Sequence, residues 1–282
     1  MVLLERFVSE KLGLTKFPPF LPTFYAAFLG FTLIHLGLAP YFSARWFPVA
    51  FGAKGRGAKN NWSIHVVSQV HALIIVPYAA WCILHEASES SLQDRVFGWD
   101  SRAGHLFAIA CGYFVWDTLD ASINFIDAGF VAHGVACTLI YSMVFTPFVA
   151  YYGARCLLWE TSTIFLNNHW FLDKLGRTGT RIQAINGICL LGAFFFVRLV
   201  YGGMISFHFM MDVLEMRRQA PLLHVMVYGI GNVVLVGLNW FWFFKMISAL
   251  RKRFDGPGER TKLLNQAETA SPGVPTTTTT TS

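Results

Sequence analysis

The stretch Ile64–Leu84, IHVVSQVHALIIVPYAAWCIL, contains no Asp, Glu, Lys or Arg. A helix needs about 20 mostly apolar residues to cross a bilayer. Similar runs recur along the chain, in which only 13% of the residues are charged and 16% are aromatic. Soluble domains average about 25% charged residues, and disordered chains contain few aromatic ones. Composition therefore excludes both classes and predicts an all-α, polytopic membrane protein.

Seven apolar runs are long enough to be considered as transmembrane helices. Thr146 and Pro147 alone separate the fourth run from the fifth, and the fifth contains Arg155 and Glu160. A bundle of seven transmembrane helices is therefore predicted, with six as the open alternative. The runs are Phe20–Phe42, Ile64–Leu84, Gly104–Phe125, Phe130–Thr146, Phe148–Leu166, Ile182–Met211 and Leu222–Leu250.

The distribution of basic residues predicts the orientation of the chain. With seven spans, the loops and tail on one side carry twelve Lys and Arg residues, and the other side carries seven. Basic residues are enriched in cytoplasmic loops. This places the C-terminus in the cytoplasm and the N-terminus in the lumen of the endoplasmic reticulum or another endomembrane compartment. Outside the spans, residues 1–19 are expected to form an amphipathic interfacial helix, and residues 253–282 a disordered, low-complexity tail.

Several spans contain ionisable residues, which cost about 2.5–3.5 kcal/mol each at the centre of a bilayer. In the third span, Tyr113, Asp117, Asp120 and Asn124 share one helical face by their spacing of four, three and four residues. Comparable stripes on other spans predict helices arranged around a polar cavity that is open to lipid. Hydrogen bonding between packed helices is the alternative explanation for any single stripe. The candidate cavity residues are His71, Tyr113, Asp120, Asn167, Arg198, Tyr201, Asn239 and Trp242.

Metal, redox and nucleotide chemistry have no support in the sequence. The five cysteines all lie in apolar runs, without a C-x-x-C motif, and no cofactor or metal-binding motif is present. No cofactor and no metal site are therefore expected. The net charge of +6 is dispersed between apolar runs, so membrane lipids, and not nucleic acid, are the expected partners. Self-association into a homo-oligomer is left open.

An ordered set of segments resembles the TLC domain of eukaryotic membrane proteins. The resemblance covers residues 61–252. The first span and the basic loop after it (residues 20–60) precede this region. The resemblance implies a lipid-handling protein of the endomembrane system. The matching segments are SQVH at 68–71, GYFVWD at 112–117, His133, LLWETSTIFLNNHW at 157–170, Arg198 and NWFW at 239–242.

Within this family the chain is similar to the branch outside the ceramide synthases. The synthases carry a His-His pair followed by a His-Asp-x-Ser-Asp segment, where this chain has His133-Gly134 and WETST at 159–163. The first expectation is thus a lipid-binding protein that influences membrane lipid composition. The alternative is an acyl-CoA-dependent lipid N-acyltransferase, in which His133, Asp117 and Glu160 converge as catalytic groups and acyl-CoA is the co-substrate.

The predicted orientation can be tested with glycosylation reporters. A new Asn-x-Ser/Thr sequon near Ser90 should be glycosylated because that loop is expected in the lumen, and one after Asp255 should stay unmodified. The natural sequon at Asn61 should also stay unmodified on the cytoplasmic side. Gel shifts sensitive to an endoglycosidase report the outcome. The reverse pattern would invert the topology, and modification of both new sites would favour six spans.

Overall fold

A computed structural model describes residues 5–52, 55–86 and 91–254 of the chain. The chain divides into two compact units, residues 1–240 and residues 241–282. Within the described ranges the regular structure is helical throughout and includes no strand. The prediction of an all-α fold is confirmed.

Among the described residues, seven long helical segments occupy the seven predicted runs, and one short helix precedes the third. Their bounds differ from the predicted ones by several residues, because polar residues extend most of the helices beyond the apolar runs. In chain order they are α1 (Pro18–Trp46), α2 (Arg56–Leu84), the short α3 (Leu92–Phe97), α4 (Ser101–Ile123), α5 (Ala128–Met143), α6 (150–174), α7 (Arg181–Met216) and α8 (Leu222–Phe254).

Five of the described helices are long and apolar enough to cross a membrane: α1, α2, α4, α7 and α8. Helix α5 is apolar but has only 16 residues. Helix α6 has sufficient length but contains Arg155 and Glu160, and it is not among the five. The chain is therefore a multi-pass helical membrane bundle, and the difference between six and seven crossings depends on α5 and α6.

Three of the long helices contain a turn that is not α-helical. Ile34–Leu38 in α1 and Phe194–Tyr201 in α7 are π-helical, and Leu158–Glu160 in α6 is a 3₁₀ turn. Such turns change the register of the backbone hydrogen bonds and often occur at functional sites. Each of the three contains a buried ionisable side chain: His35, Glu160 or Arg198.

Helix α4 is at the centre of the main hydrophobic core and packs against α1, α2 and α5. Two glycines permit this close packing. A Cβ atom at Gly112 would lie 2.8 Å from the carbonyl oxygen of Phe24 in α1, and one at Gly134 in α5 would lie 2.8 Å from Thr118 Oγ1 in α4. Small residues at helix interfaces let membrane helices approach one another in this way.

The N-terminal segment contacts the bundle. A π-helical turn covers Phe7–Lys11, and a 3₁₀ turn follows at Pro18–Phe20. Val8 is buried in the main core, whereas Phe7 is 53% exposed. The amide of Lys16 donates to the carbonyl oxygen of Phe145, 2.9 Å away. Residues 1–4 and the low-complexity tail from 255 lie outside the described residues, so the expectations for these segments remain predictions.

A partly buried ion pair connects α3 to α7. Arg95 donates from Nε and Nη2 to the two carboxylate oxygens of Asp212, at 2.7 and 3.2 Å, and Tyr152 of α6 donates its hydroxyl to the same carboxylate. The hydrogen bonds to Asp212 raise the pKa of Arg95. The amide of Val149 also donates to the carbonyl oxygen of Val96 at 2.6 Å. These contacts connect α3 with α6 and α7.

Removing the carboxylate should loosen this attachment. We expect Asp212→Leu to lower the free energy of unfolding by about 2–3 kcal/mol, since Arg95 and Tyr152 both lose their acceptor. Thermal unfolding in lipid nanodiscs measures the change. Glu215→Leu is the matched control, because Glu215 is an exposed carboxylate on the same helix. Equal unfolding temperatures for the two variants would contradict a stabilising role for the pair.

Candidate functional site

Arg198, in the π-helical segment of α7, is the centre of a buried hydrogen-bond network. Its side chain is only 7% exposed, although the residue lies midway along a membrane helix. An isolated guanidinium is costly at that depth. Every nitrogen of this guanidinium therefore has an acceptor. Nε donates to the carbonyl oxygen of Trp159 (3.1 Å) and to Ser162 Oγ (2.8 Å), and Nη1 donates to Asn239 Oδ1 (3.2 Å). Nη2 donates to Thr163 Oγ1 (3.1 Å) and to Glu160 Oε1 (3.4 Å).

Helix α6 supplies four of these five acceptors, and two of the four, Trp159 and Glu160, belong to its 3₁₀ turn. The carbonyl oxygen of Trp159 accepts from Arg198 and also from the hydroxyl of Ser162. Glu160, at the end of the same turn, carries the carboxylate that balances the guanidinium. The network therefore depends on a local change in backbone geometry as well as on side-chain identity.

A small cavity of about 30 Å³ lies beside this network. We call it the polar pocket and define it by His133 of α5, Glu160 of α6, Arg198 of α7 and Asn239 of α8, one polar residue from each of four helices. The other wall residues are aliphatic or aromatic, or carry a thiol. They are Phe114, Cys137, Tyr141, Cys156, Leu157, Trp159 and Leu235.

The amide of Asn239 has a defined orientation in the polar pocket. Arg198 can only donate hydrogen bonds, so the atom facing it must be the oxygen Oδ1. The nitrogen Nδ2 is buried and has no hydrogen-bond acceptor among the described residues. A buried donor without an acceptor is rare in folded proteins, and each case calls for an explanation.

The structure brings together four of the residues singled out in the sequence: His133, Glu160, Arg198 and Asn239. His133 and Glu160, two of the three residues expected to converge, both line this pocket. The third, Asp117, is not part of the pocket wall. Phe114, three residues earlier on α4, supplies that part of the wall instead.

Four of the other candidate residues lie in other helix contacts within residues 1–240. His71 and Tyr113 stack on each other in the main core, with ring centres 3.6 Å apart. Asp120 is 3.8 Å from His35 and accepts a hydrogen bond from Asn60. Asn167 joins α6 to α2, where it bonds His65 and Ser68.

Two further candidates do not line the polar pocket. Tyr201 is half-buried and packs against the second core cluster, which includes Ile205 and Phe209. Tyr201 is the last residue of the π-helical segment that carries Arg198, but it does not line the polar pocket. Trp242 belongs to the second compact unit, residues 241–282. Helical spacing alone was insufficient to separate these residues from the pocket.

Cys137 is a pocket residue that the sequence reasoning missed. Its sulfur lies 3.7 Å from Nε2 of His133, one helical turn earlier on α5. The spacing of four residues placed the two on one face of the helix, but a cysteine within an apolar run carried no functional signal. His35, which contacts Asp120, was also missed.

On the other side of the seam between α5 and α8 lies an apolar crevice of about 580 Å³. The helices pack closely at Gly231, where an added Cβ would lie 2.8 Å from Ile140. We call this space the α5–α8 crevice. Its lining contains no charged residue and consists of Phe125, Ala128, Val131, Ala132, Val135, Ala136, Leu139, Met226, Val227, Ile230, Gly231 and Val234.

A larger cavity, of about 600 Å³, lies near α3 at one end of the helices. Its wall includes Glu86, Asp100 and Arg102 but none of the candidate residues from the sequence. Glu86 is bound to Arg155 at 2.7 Å, and Asp100 to Arg102 at 2.8 Å. Arg155 is therefore buried and paired, as expected for a basic residue within an apolar run.

Comparisons with known proteins agree with this architecture. The TLC domain matches residues 61–248, so the chain belongs to the TLC-domain family. An uncharacterized TLC domain-containing protein of Schizosaccharomyces pombe is 33% identical over 97% of this chain and 94% of its own length. TLC domain-containing protein 4 of Homo sapiens is 29% identical over 78% of this chain and 85% of its own length. These relatives are TLC domain-containing proteins outside the ceramide synthases, as the departures at residues 133–134 and 159–163 indicated.

The pairing of Arg198 with Glu160 can be tested by a double-mutant cycle. Arg198→Met should lower the free energy of unfolding by about 3 kcal/mol, because it leaves a carboxylate buried without its cation. Adding Glu160→Met should recover part of that loss. Thermal unfolding of the two single variants and the double variant in nanodiscs gives the interaction energy. Additive losses would show that the two charges do not interact.

Proposed function

We propose that this protein binds a membrane lipid, with a hydrocarbon chain in the α5–α8 crevice and the polar end of the lipid at the polar pocket. Binding of this kind would let the protein influence membrane lipid composition. Membership of the TLC-domain family, which is generally associated with membrane lipids, supports this class of function.

One observation carries the proposal: the same two helices wall both an apolar space and a polar one. The crevice residues of α5, such as Ala132 and Ala136, occupy one face of the helix, and His133 and Cys137 occupy another. Ligand sites are typically apolar cavities with a few polar groups that fix orientation. An amphipathic membrane lipid has the matching distribution of polar and apolar groups.

The crevice is suited to a hydrocarbon chain. Several of its residues are substantially exposed, including Val135 at 43% and Ile230 at 58%, on helices that are apolar along most of their length. In a bilayer these exposed surfaces would be in contact with lipid tails, and a volume of about 580 Å³ is within the usual range of small-molecule sites.

The cellular setting is part of the same proposal. The excess of basic residues in alternate loops favours a cytoplasmic C-terminus and a lumenal N-terminus. The resemblance of the motifs favours the endoplasmic reticulum or another endomembrane compartment, with a sphingolipid among the candidate ligands and lipid homeostasis as the process. The reporter sequons described above test the orientation.

A second candidate function is acyl-CoA-dependent N-acylation of a lipid amine. Its support is that His133 and Glu160 line one cavity, where an imidazole can act as a base beside a carboxylate. The acyl carbon would leave the sulfur of CoA for the lipid nitrogen, and that nitrogen would lose a proton to His133. Incubating the protein with acyl-CoA and a long-chain base distinguishes the functions, because only the acyltransferase forms an amide and releases CoA thiol.

Filling the crevice tests the binding proposal. We expect Ala132→Phe to reduce the lipid retained by the purified protein about tenfold, or roughly 1.4 kcal/mol, because the ring would occupy the space of the chain. Native mass spectrometry after delipidation and controlled readdition of lipid gives the retained amount. Ala184→Phe, at an exposed alanine of α7 that does not line the crevice, is the control. Equal retention by both variants would reject the crevice as the binding site.

A further inference from the structure

The polar pocket contains an unsatisfied donor, which indicates the chemistry of the lipid's polar end. We infer that the pocket selects an uncharged lipid with a small hydrogen-bond acceptor, a carbonyl or similar oxygen, and that Nδ2 of Asn239 donates to that oxygen. This inference rests on the proposed function and adds a class of ligand to it.

The buried Nδ2 of Asn239 favours a ligand that carries an acceptor. Asn239 is 2% exposed, its Oδ1 accepts from Arg198, and its Nδ2 has no acceptor within the part of the chain that the structure describes. Because Asn239 lines the pocket, an oxygen of a bound ligand is well placed to accept from this group. A ligand oxygen would then satisfy a buried donor that the protein leaves without an acceptor.

The small size of the pocket also limits the group that it can hold. Its volume is about 30 Å³, and a cavity needs on the order of 10–15 Å³ to hold one water molecule. It accommodates a group of one or two heavy atoms, such as a carbonyl. A phosphocholine or another bulky head group does not fit into this space.

Charge also favours a neutral ligand. The guanidinium of Arg198 already has the carboxylate of Glu160 at 3.4 Å. This carboxylate offsets the guanidinium, and an anionic ligand would meet repulsion from Glu160. A neutral acceptor does not incur this cost.

A second cavity adjoins the polar pocket. This cavity measures about 50 Å³, has a wall that is largely apolar, and shares four wall residues with the polar pocket. The first carbons next to the small acceptor would have room there, with the rest of the chain in the α5–α8 crevice. The shared residues are Tyr141, Cys156, Trp159 and Leu235.

The experiment compares lipids that have the same hydrocarbon chain and different polar ends. The full-length, delipidated protein in detergent micelles is titrated with methyl oleate, oleate and oleyl phosphocholine, and native mass spectrometry measures binding. We expect the dissociation constant of methyl oleate to be at least about tenfold lower than that of either charged probe.

A variant tests the assigned donor. Asn239→Asp retains an oxygen for Arg198 but replaces both N–H donors, and it should weaken methyl oleate binding about tenfold. Asn186→Asp is the matched control, because its amide already donates to the carbonyl oxygen of Phe165 at 2.8 Å and does not line the pocket. Unfolding temperatures of both variants show whether each is folded. The comparison of the three lipids on the wild-type protein tests the class of ligand without any variant.

The outcomes separate this inference from the proposed function. Equal binding of all three probes, or tighter binding of a charged one, overturns the inference and leaves lipid binding intact. Binding of none of them, together with no lipid retained from the membrane, overturns both. Undiminished methyl oleate binding by a folded Asn239→Asp variant overturns the role of Asn239.

Discussion

The burial of one guanidinium in the middle of the membrane constrains much of this structure. Arg198 has to find acceptors without help from water, and it finds them on α6 and α8. Three helices are therefore held in a single arrangement by hydrogen bonds from one side chain. An apolar residue of similar size at this position would pack without such requirements, so the arginine specifies how these helices meet.

The backbone around the site is irregular in two of these helices. The carbonyl oxygen of Trp159, in the 3₁₀ turn Leu158–Glu160, accepts from Arg198 and from the hydroxyl of Ser162. The π-helical segment Phe194–Tyr201 carries the arginine itself. The polar pocket is the small space left beside this network, and Asn239 faces it with a donor that the network does not use.

Lipid binding connects this polar centre to the apolar surface of the bundle. The α5–α8 crevice and the polar pocket lie on two faces of the same pair of helices, which pack closely at Ile140 and Gly231. Both helices are apolar over most of their length, so bilayer lipids surround them. The proposed site thus uses the membrane both as its surroundings and as the source of its ligand.

Composition and apolar run length determined the class of this protein: the helices, their order and their approximate ends follow from the scarcity of charge over stretches such as Ile64–Leu84. The cost of burying charge also marked Glu160 and Arg198 as interior residues, and the ordered motifs indicated the TLC-domain family. Only the tertiary structure decided which polar residues meet. His71, Asp120 and Asn167 satisfy the same spacing rules as Asn239 but lie in other helix contacts, and Cys137 had no polar signal at all. Periodicity assigns a residue to a face of its own helix, whereas the partner of that face depends on how helices pack and where a π or 3₁₀ turn shifts their phase.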